Sequence, residues 1–520
     1  MMRWWVAWAV LWMTAWGIAE PASEPIRPGS PGEQFFWNEY SSRFIYPPAF
    51  YIKADPSPVH QRYRYTLRAA GMDERWTFEA RVPYAPLTPL WDELPTGQTT
   101  LTVESLTATG SVVRVVGERT FFKAPSYNGP YGPADTPYAK SARKALMFQY
   151  NQPHYRHWRR GEPGYYHYGC YPSKTFGSAV RGMVTLAKHT EDAQVRREAR
   201  AAAVFVADLL LDMAFPGGTP FAGLVPTYDD EHRVAQNSDW WDDRAKGRLM
   251  LTEPVDSASS LLDLYEFTGD ARYREAVWRM MRTYRRTQLP SGTWPLRVLH
   301  ATGTPDAANR MIPARLILLL DRLIEDYEAE EFVEMRDRAV AWIETHPMRN
   351  FHWEGQFEDI PRCAPYLNLS HYAAVDYARY LLRHRKERPG NVERARELLR
   401  FAEDQFIIWE PPTLRWSNAM TPCALEQYWC YRPINASAAH IIHGFIEAYE
   451  AIGDALYLEK ARSLANTQVA AADPETGQYR TFWYSDGTNK GNNWDNCAID
   501  TALALLRLSE VEGDEPSLRP

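Results

Sequence analysis

A nine-residue motif occurs twice in this chain and limits the architectures that it can adopt. The first copy, at residues 265–273, reads YEFTGDARY, and the second, at residues 449–457, reads YEAIGDALY. In each copy the glycine is suited to end one helix, the aspartate to cap the next, and the second tyrosine to begin an apolar face. A Gly-aromatic loop follows both copies, at residues 291–295 and 476–479. Helix, turn, helix and loop therefore form a repeated unit, and internal repetition of this kind decides the architecture.

Length and composition are those of a large folded protein. The chain has 520 residues, enough for a large domain and an accessory one. It contains 20 Trp, 30 Tyr and 20 Phe, an aromatic excess that suits stacking on sugar rings as well as a large core. The net charge of −7 gives no basic footprint, so the sequence predicts no nucleic-acid partner.

The N-terminus has the composition of a signal peptide. Arg3 precedes an apolar run at residues 4–16, and the small residues Gly17 and Ala19 suit cleavage near Glu20. The run is too short for a membrane-spanning helix, and no other stretch of the sequence is long and apolar enough to be one. We therefore expect a signal peptide at residues 1–19, a secreted or periplasmic location, and no membrane span.

Changes in composition and periodicity divide the rest of the chain. Residues 20–48 are rich in Pro, Gly and Ser and are predicted to be an entry segment. Residues 49–123 hold short alternating runs separated by turn residues, a pattern typical of fibronectin-III-like or immunoglobulin-like β-sandwich modules. Residues 124–136 are predicted to be a linker, and helical periodicity prevails from 137 to 512.

Twelve segments of this last region carry apolar residues at helical spacing. They are residues 137–150, 173–190, 192–213, 255–267, 271–287, 308–327, 330–345, 370–385, 391–407, 435–451, 455–470 and 495–509. Each helix must bury its apolar face, and successive short-linked hairpins do so by closing into a ring. The sequence therefore predicts a mainly α protein, an (α/α)6 toroid preceded by a small antiparallel β-sandwich module.

The repeat, the Gly-Thr-Trp-Pro loop at residues 292–295 and the β-module before the toroid resemble secreted (α/α)6-toroid carbohydrate-active enzymes. That superfamily includes six-hairpin glycosidases, toroid polysaccharide lyases and glucuronyl C5-epimerases. The resemblance implies an enzyme that acts on a polysaccharide or oligosaccharide. It also implies a cleft formed by the long loops at one end of the inner helices.

The first candidate loop, at residues 152–174, combines tyrosines, histidines and cations. β-Elimination from a uronic acid needs a group that neutralises the carboxylate, a base for the C5 proton and an acid for the leaving oxygen. Tyr166, His167 and Tyr171 are the predicted acid and base candidates, because their side chains can perform the two proton transfers. The alternative is an aromatic loop that packs on the β-module.

The second candidate loop carries close acids beside paired tryptophans. Asp239, Asp242 and Asp243 fit a sugar hydrolase, in which one carboxyl donates a proton and another activates water or attacks. Carboxylate pairs of this kind also bind Ca²⁺. Asn237, Asp239 and Trp240 are predicted to bind substrate. The alternative is a solvated capping loop.

Three further loops supply the remaining candidates. Glu354 is predicted to be a general acid or to bind a substrate hydroxyl. Tyr428 is a further acid/base candidate, and Arg432 has the planar fork that clamps a carboxylate or a sulfate. Trp483 and Trp494, in the last loop, are the predicted stacking platforms for sugar rings.

The choice of reaction depends on which residue types recur. Tyr, His and Arg recur in three loops, which favours a polysaccharide lyase that acts by β-elimination on a uronic-acid-containing glycan. The alternative is a glycoside hydrolase that uses the aspartates of the second loop with Glu354; a uronyl C5-epimerase and a non-catalytic glycan-binding protein are further alternatives. The sequence has no Walker A, GxGxxG, HExxH or G-x-S-x-G motif. It therefore predicts no cofactor beyond a possible structural or catalytic Ca²⁺ ion, and it leaves the oligomeric state open.

Overall fold

A computed structural model gives the fold of most of the chain. It describes residues 43–44, 47–48, 62–81, 85, 87–125, 134–164, 166, 171–230, 245–358, 368–409, 418–427, 432–484 and 493–513. The predicted signal peptide lies outside these residues.

The N-terminal part of the described chain is a β-sheet. Its strands are β1 (Arg43–Phe44), β2 (Arg62–Ala69), β3 (Trp76–Ala80), β4 (Gly97–Leu106) and β5 (Val112–Lys123). The strand order is β1-β5-β4-β2-β3, and every pairing except that of β1 with β5 is antiparallel. Alternate residues of β2 and β4, such as Leu67 and Leu101, pack with Leu90 and Trp91 in one small core. The predicted antiparallel module is thus present, and its described strands belong to one sheet.

The rest of the described chain is mainly helical. The helices are α1 (Tyr138–Tyr150), α2 (Pro153–Trp158), α3 (Pro172–His189), α4 (Ala193–Met213), α5 (Pro254–Thr268), α6 (Ala271–Thr287), α7 (Ala314–Tyr327), α8 (Val333–Thr345), α9 (Pro347–Asn350), α10 (Tyr372–Arg383), α11 (Asn391–Phe406), α12 (Asn435–Ile452), α13 (Ala455–Ala471) and α14 (Asp495–Glu512). Short strands β6 (Arg248–Met250), β7 (Arg297–Leu299), β8 (Ile407–Ile408) and β9 (Cys423–Ala424) lie in the connections. None of the helices in the described ranges is long and apolar enough to cross a membrane.

Within the described residues, six helices close into an inner ring. Helices α3, α5, α7, α10, α12 and α14 each pack on the next, and α14 packs on α3. Helices α4, α6, α8, α11, α13 and α1 form the outer layer, each against its inner partner. The predicted (α/α)6 toroid is confirmed. The helix predicted at 308–327 begins only at Ala314, because Pro305 and Arg310 form β-bridges with Val298 and Pro295.

The repeated motif forms the turn between an inner and an outer helix. Gly269 ends α5 with φ 74°, a left-handed conformation that glycine adopts without strain. The Asp270 side chain accepts a hydrogen bond from the N–H of Arg272 at 3.0 Å, and Tyr273 is fully buried on α6. The second copy repeats this geometry with Gly453, Asp454 and Tyr457. The motif therefore fixes the hairpin geometry on which the ring depends.

The Gly-aromatic loop attaches each of these hairpins to a neighbouring outer helix. Gly292 has φ 97°, and a Cβ atom added there would lie 2.3 Å from the carbonyl oxygen of Arg338 on α8. Trp294 is fully buried and donates its indole N–H to the carbonyl of Tyr284 at 2.9 Å. The second loop, at residues 476–479, approaches a flexible side chain of α1 instead of backbone. Glycine is therefore required at position 292 by close approach as well as by φ.

Replacing Gly292 by alanine is expected to destabilise the protein by about 3 kcal/mol, because the variant combines a left-handed φ with a backbone clash. Gly269→Ala is the matched control. Gly269 has a similar φ, but a Cβ added there would meet no heavy atom of the described residues within 4 Å. The expected loss of stability is therefore only about 1 kcal/mol. The measurement is the denaturant midpoint followed by circular dichroism. Equal shifts for the two variants would contradict the close approach at Gly292.

Candidate active site

A cavity of about 750 Å³ lies inside the ring. All six inner helices and the loops before five of them line it, whereas no described residue of the loop before α3 does. Each inner helix is followed by an outer helix that returns, so the inner helices run in one direction and the loops before them meet at one end. This volume is in the range of small-molecule sites, about 300–1,000 Å³.

Glu354 lies on the cavity wall, in a short bridge with Leu369. The side-chain amide of Asn309 donates to its Oε1 at 2.5 Å. Burial raises the pKa of Glu354 to about 7, against the lowering effect of hydrogen bonds from Asn309 and Gln356. This carboxyl therefore changes its protonation near neutral pH, as a general acid or base must.

A second carboxyl, that of Glu253, lies on the wall just before α5. The hydroxyl of Ser173 donates to the Glu253 carbonyl at 2.7 Å, which holds this residue beside the first turn of α3. Lys174, in that turn, pairs instead with Glu358 at 2.7 Å. Burial, and then the charge of Glu358, raise the pKa of Glu253 well above its ordinary value, whereas Lys174 lowers it. Glu253 therefore keeps its proton to a higher pH than an ordinary glutamate does.

Aromatic rings form the apolar part of the wall. Phe357 and Tyr372 line the cavity in an edge-to-face contact, with ring centroids 5.4 Å apart. Trp494, the residue before α14, also lines it, and its ring is 5.9 Å from that of Phe482. The cavity therefore offers both aromatic faces and carboxyl groups to a ligand.

Ion pairs between inner helices form the deeper wall. Arg315 on α7 donates to Asp256 on α5 at 2.5 Å and to Asp376 on α10 at 3.5 Å. Arg181 on α3 pairs with Asp500 on α14 at 3.0 Å. The side chain of Arg315 is 41% exposed although it lies deep in the ring, so its exposed surface faces the cavity. The wall can therefore both donate hydrogen bonds to a polar ligand and accept them.

Burial shifts the pKa values of Tyr and His side chains on the wall away from 7. Tyr372 and His440 stack with ring centroids 4.6 Å apart. Burial raises the pKa of Tyr372 well above its usual value and lowers that of His440 well below its own. Burial also lowers the pKa of His443 to about 3. At neutral pH these three side chains are uncharged and are weak acids or weak bases.

The tyrosines predicted from the first loop lie beside the cavity lining. Tyr166 is buried, stacks on His154 with ring centroids 4.5 Å apart, and accepts the N–H of Asp495 at 2.9 Å. Tyr171 precedes α3 and makes an edge-to-face contact with Tyr228 at 5.9 Å. Neither residue is among the described residues that line the cavity. These contacts favour packing roles that join the first loop to the ring.

Of the described candidates in the last two loops, one lines the cavity and two do not. Trp494 reaches the cavity, as a stacking platform requires, but Trp483 is only 2% exposed and packs in the main core. Arg432 is exposed, with its guanidinium 5.6 Å from the ring centre of Phe482, and does not line the described cavity. Several predicted site residues lie outside the described residues: His167, Asn237, Asp239, Trp240, Asp242, Asp243 and Tyr428.

Sequence analysis did not select Glu253, although one sequence signal marks it. Pro254 occupies the first helical position of α5, so the residue before it lies at the loop end of an inner helix. The partners of Glu253 give no comparable signal, since Lys174 and Glu358 come from distant parts of the chain and meet only in the folded ring.

One described group has the spacing of metal ligands. Donor atoms of Asp321, Glu325 and His384 lie within 4.8 Å of one another. Asp321 already accepts hydrogen bonds from Arg336 at 2.9 Å and from His384 at 2.8 Å, and the other ring nitrogen of His384 bonds Glu387 at 2.7 Å. This arrangement is an internal ion-pair network, and the site chemistry above does not use it.

Comparisons with known proteins identify the fold. No family model and no curated protein matches the chain. A family 76 glycoside hydrolase from a bovine Bacteroides thetaiotaomicron strain aligns with TM-score 0.50 at 11% identity, over 90% of this chain and 97% of its own. The cellobiose 2-epimerase from Spirochaeta thermophila DSM 6192 aligns with TM-score 0.51 at 12% identity, over 72% and 98%. The Lin0763 protein from Listeria innocua aligns with TM-score 0.50 at 11% identity, over 74% and 100%.

The chain has the (α/α)6-toroid fold. This is the fold of the carbohydrate-active superfamily that the sequence resembles, and that resemblance is confirmed at the level of fold. Because one fold supports several reactions, the choice among them depends on the site.

Replacing Asn309 by alanine is expected to raise the pKa of Glu354 above about 7, because the carboxylate loses a hydrogen bond that stabilises it. The measurement is a carbon-13 NMR titration of side-chain carboxyls in glutamate-labelled protein, with Glu354→Gln used to assign the signal. Asn151→Ala, at an exposed site where the side chain donates to the carbonyl of Met147, is the control. An unchanged titration in the Asn309 variant would contradict the contact.

Proposed function

We propose that this protein is a carbohydrate-active enzyme that hydrolyses a glycosidic bond in its axial cavity, with Glu354 as the general base. The observation that carries the proposal is a wall carboxyl whose pKa of about 7 suits proton transfer at neutral pH. The fold agrees with a carbohydrate substrate, since structures that share it include a glycoside hydrolase and a cellobiose epimerase. The substrate is a polysaccharide or an oligosaccharide.

Hydrolysis by direct attack of water on the anomeric carbon needs a base for the water and an acid for the leaving oxygen. The hydrogen bond from Asn309 holds the Glu354 carboxylate as an acceptor. In the proposed step, a water oxygen forms a bond to the anomeric carbon and gives a proton to Glu354. The glycosidic C–O bond breaks, and its oxygen takes a proton from the acid.

The rest of the wall supports binding of a sugar. Trp494 and Phe357 offer rings to the C–H faces of a pyranose. The ion pairs of Arg315 with Asp256 and Asp376 offer adjacent donors and acceptors, which match the hydroxyl groups of a sugar. Binding in this scheme needs no metal ion.

β-Elimination on a uronic-acid glycan is the second candidate. The stacked Tyr372 and His440 on the cavity wall support it, because a lyase needs an acid and a base of these types. Their pKa values move in the directions that weaken both groups, and so we place hydrolysis first.

An assay on purified protein decides between these reactions. A panel of neutral and uronic-acid glycans is followed both for new reducing ends and for the ultraviolet absorbance of a conjugated double bond. Hydrolysis is expected to give reducing ends without that absorbance, whereas a rise in absorbance would establish β-elimination. Epimerised sugar detected by NMR, or binding without any reaction, would overturn the proposal in favour of an epimerase or a binding protein.

Replacing Glu354 by glutamine is expected to lower kcat by about 10²–10⁴-fold, because the base is lost. In the unmodified protein, activity should rise as the pH increases through about 7, since Glu354 must be ionised to accept a proton. The variant should lose this limb of the pH profile of kcat/KM. Glu325→Gln, which alters another cavity-lining glutamate near the end of α7, is the control and should keep it. A variant with the unmodified profile would show that Glu354 is not the base.

Export from the cytoplasm forms part of the proposal, on the strength of the predicted signal peptide at residues 1–19. Its test is N-terminal sequencing of protein recovered from the periplasm or the medium. A mature chain that begins near Glu20 is expected, and recovery of the intact N-terminus in the cytoplasm would contradict it.

A further inference from the structure

Glu253 is held rigidly where the cavity meets α3 and α5. Its side chain is buried, with 6% of the residue exposed, and it lines the cavity. Its carbonyl oxygen accepts hydrogen bonds from Ser173 at 2.7 Å and from the N–H of Asp256 at 3.0 Å. Its own N–H donates to Met250 at 3.3 Å. The main chain therefore cannot move the carboxyl away from the wall without breaking these contacts.

The neighbouring carboxyl, that of Glu358, is fixed as firmly. Its Oε1 pairs with the ammonium of Lys174 at 2.7 Å, and its side chain is buried. Its carbonyl accepts hydrogen bonds from the hydroxyl of Tyr228 at 2.6 Å and from Arg297 at 3.3 Å. Two buried carboxyls therefore feel the charge of one ammonium group, which pairs with Glu358.

The ion pair with Lys174 distinguishes the two carboxyls. In the described part of the chain, Oε2 of Glu253 and Oε2 of Glu358 are both buried without a hydrogen-bond partner. An ionised carboxylate is costly to bury unless it is paired, and one ammonium can compensate only one of the two. Since Lys174 bonds Glu358, ionisation is the more costly for Glu253.

The other charges that face Glu253 have opposite signs. Asp256, on the same helix, opposes ionisation of Glu253, and Arg315, on α7, favours it. These two side chains also pair with each other at 2.5 Å. The hydroxyl of Tyr284 on α6 is uncharged and donates to Leu251. Burial therefore affects the pKa of Glu253 most, and among the charges Glu358 and Lys174 have the largest effects.

We propose that Glu253 is the catalytic acid of this site, and that Lys174 and Glu358 are positioning residues that keep its proton in place. The inference rests on the hydrolysis proposed above. Glu253 gives its proton to the glycosidic oxygen as the C–O bond breaks, while water adds to the anomeric carbon and gives a proton to Glu354. Exchange with solvent then returns the proton to Glu253 and removes it from Glu354. The acid and the base thus act on opposite faces of the sugar ring, and the product has gained one water.

The first test varies the leaving group. For an alkyl glycoside of the sugar found in the panel, Glu253→Gln is expected to lower kcat by about 10²–10⁴-fold. For the glycosyl fluoride of the same sugar, whose leaving group needs no proton, the variant should keep most of its activity, whereas Glu354→Gln should lose activity on both. Equal losses of Glu253→Gln on the two substrates would overturn the role as acid.

The second test uses the positioning residues. Glu358→Gln removes a negative charge and should move the falling, alkaline limb of the kcat/KM profile to lower pH. Lys174→Gln removes a positive charge and should move that limb to higher pH. If the two residues were only structural, the variants would have lower kcat/KM but an alkaline limb at the unmodified pH. That result would overturn the proposal.

A third measurement does not depend on turnover. At mildly alkaline pH, where Glu354 is ionised, the infrared difference spectrum between the unmodified protein and Glu253→Gln should show the C=O stretch of a protonated carboxyl. Glu325→Gln should keep this band. If the band is present and no glycan is hydrolysed, the proposed reaction fails while the proton on Glu253 stands. If the band is absent from the unmodified protein, the inference fails even where hydrolysis is found.

Discussion

The structure depends on how six inner helices enclose a polar interior. The inner faces of the helices border a cavity and carry charged side chains. Because a charge is costly to bury unless it is paired, these side chains form ion pairs with residues of neighbouring helices. Arg315 joins α7 to both neighbours through Asp256 and Asp376, and Arg181 joins α3 to α14 through Asp500. The ion pairs that join the inner helices thus also present hydrogen-bond donors and acceptors to the cavity.

Helices α3 and α5 pack through small side chains instead of an ion pair, and this close packing positions residues of the proposed site. A Cβ added to Gly177 would lie 3.3 Å from the backbone of α5, and the hydroxyls of Ser173 and Ser257 are hydrogen-bonded at 2.9 Å. Small side chains thus let the two helices approach directly. The same approach brings Lys174, in the first turn of α3, next to Glu253, before the first turn of α5.

Sequence reasoning gave the architecture better than the site, for a physical reason. Helical periodicity and the repeated turn are local, so the helices and their closure into a ring could be predicted from the chain alone. A loop aromatic carries no sign of the direction in which it points, and so Trp494 on the wall and Trp483 in the core looked alike. The raised pKa of Glu253 comes from burial and then from Glu358, against the effect of Lys174, and no sequence spacing brings these residues together.

The packing of α1 on α14 has a consequence for when the cavity can form. It joins distant parts of the chain, as does the contact of His154, on α2, with Asp495, 341 positions apart in the sequence. Contacts of such long range form late, after the loop-closure entropy between them has been overcome. A nascent chain that has not yet made α14 therefore lacks one wall of the cavity, together with Trp494. Closure of the cavity therefore depends on synthesis of α14.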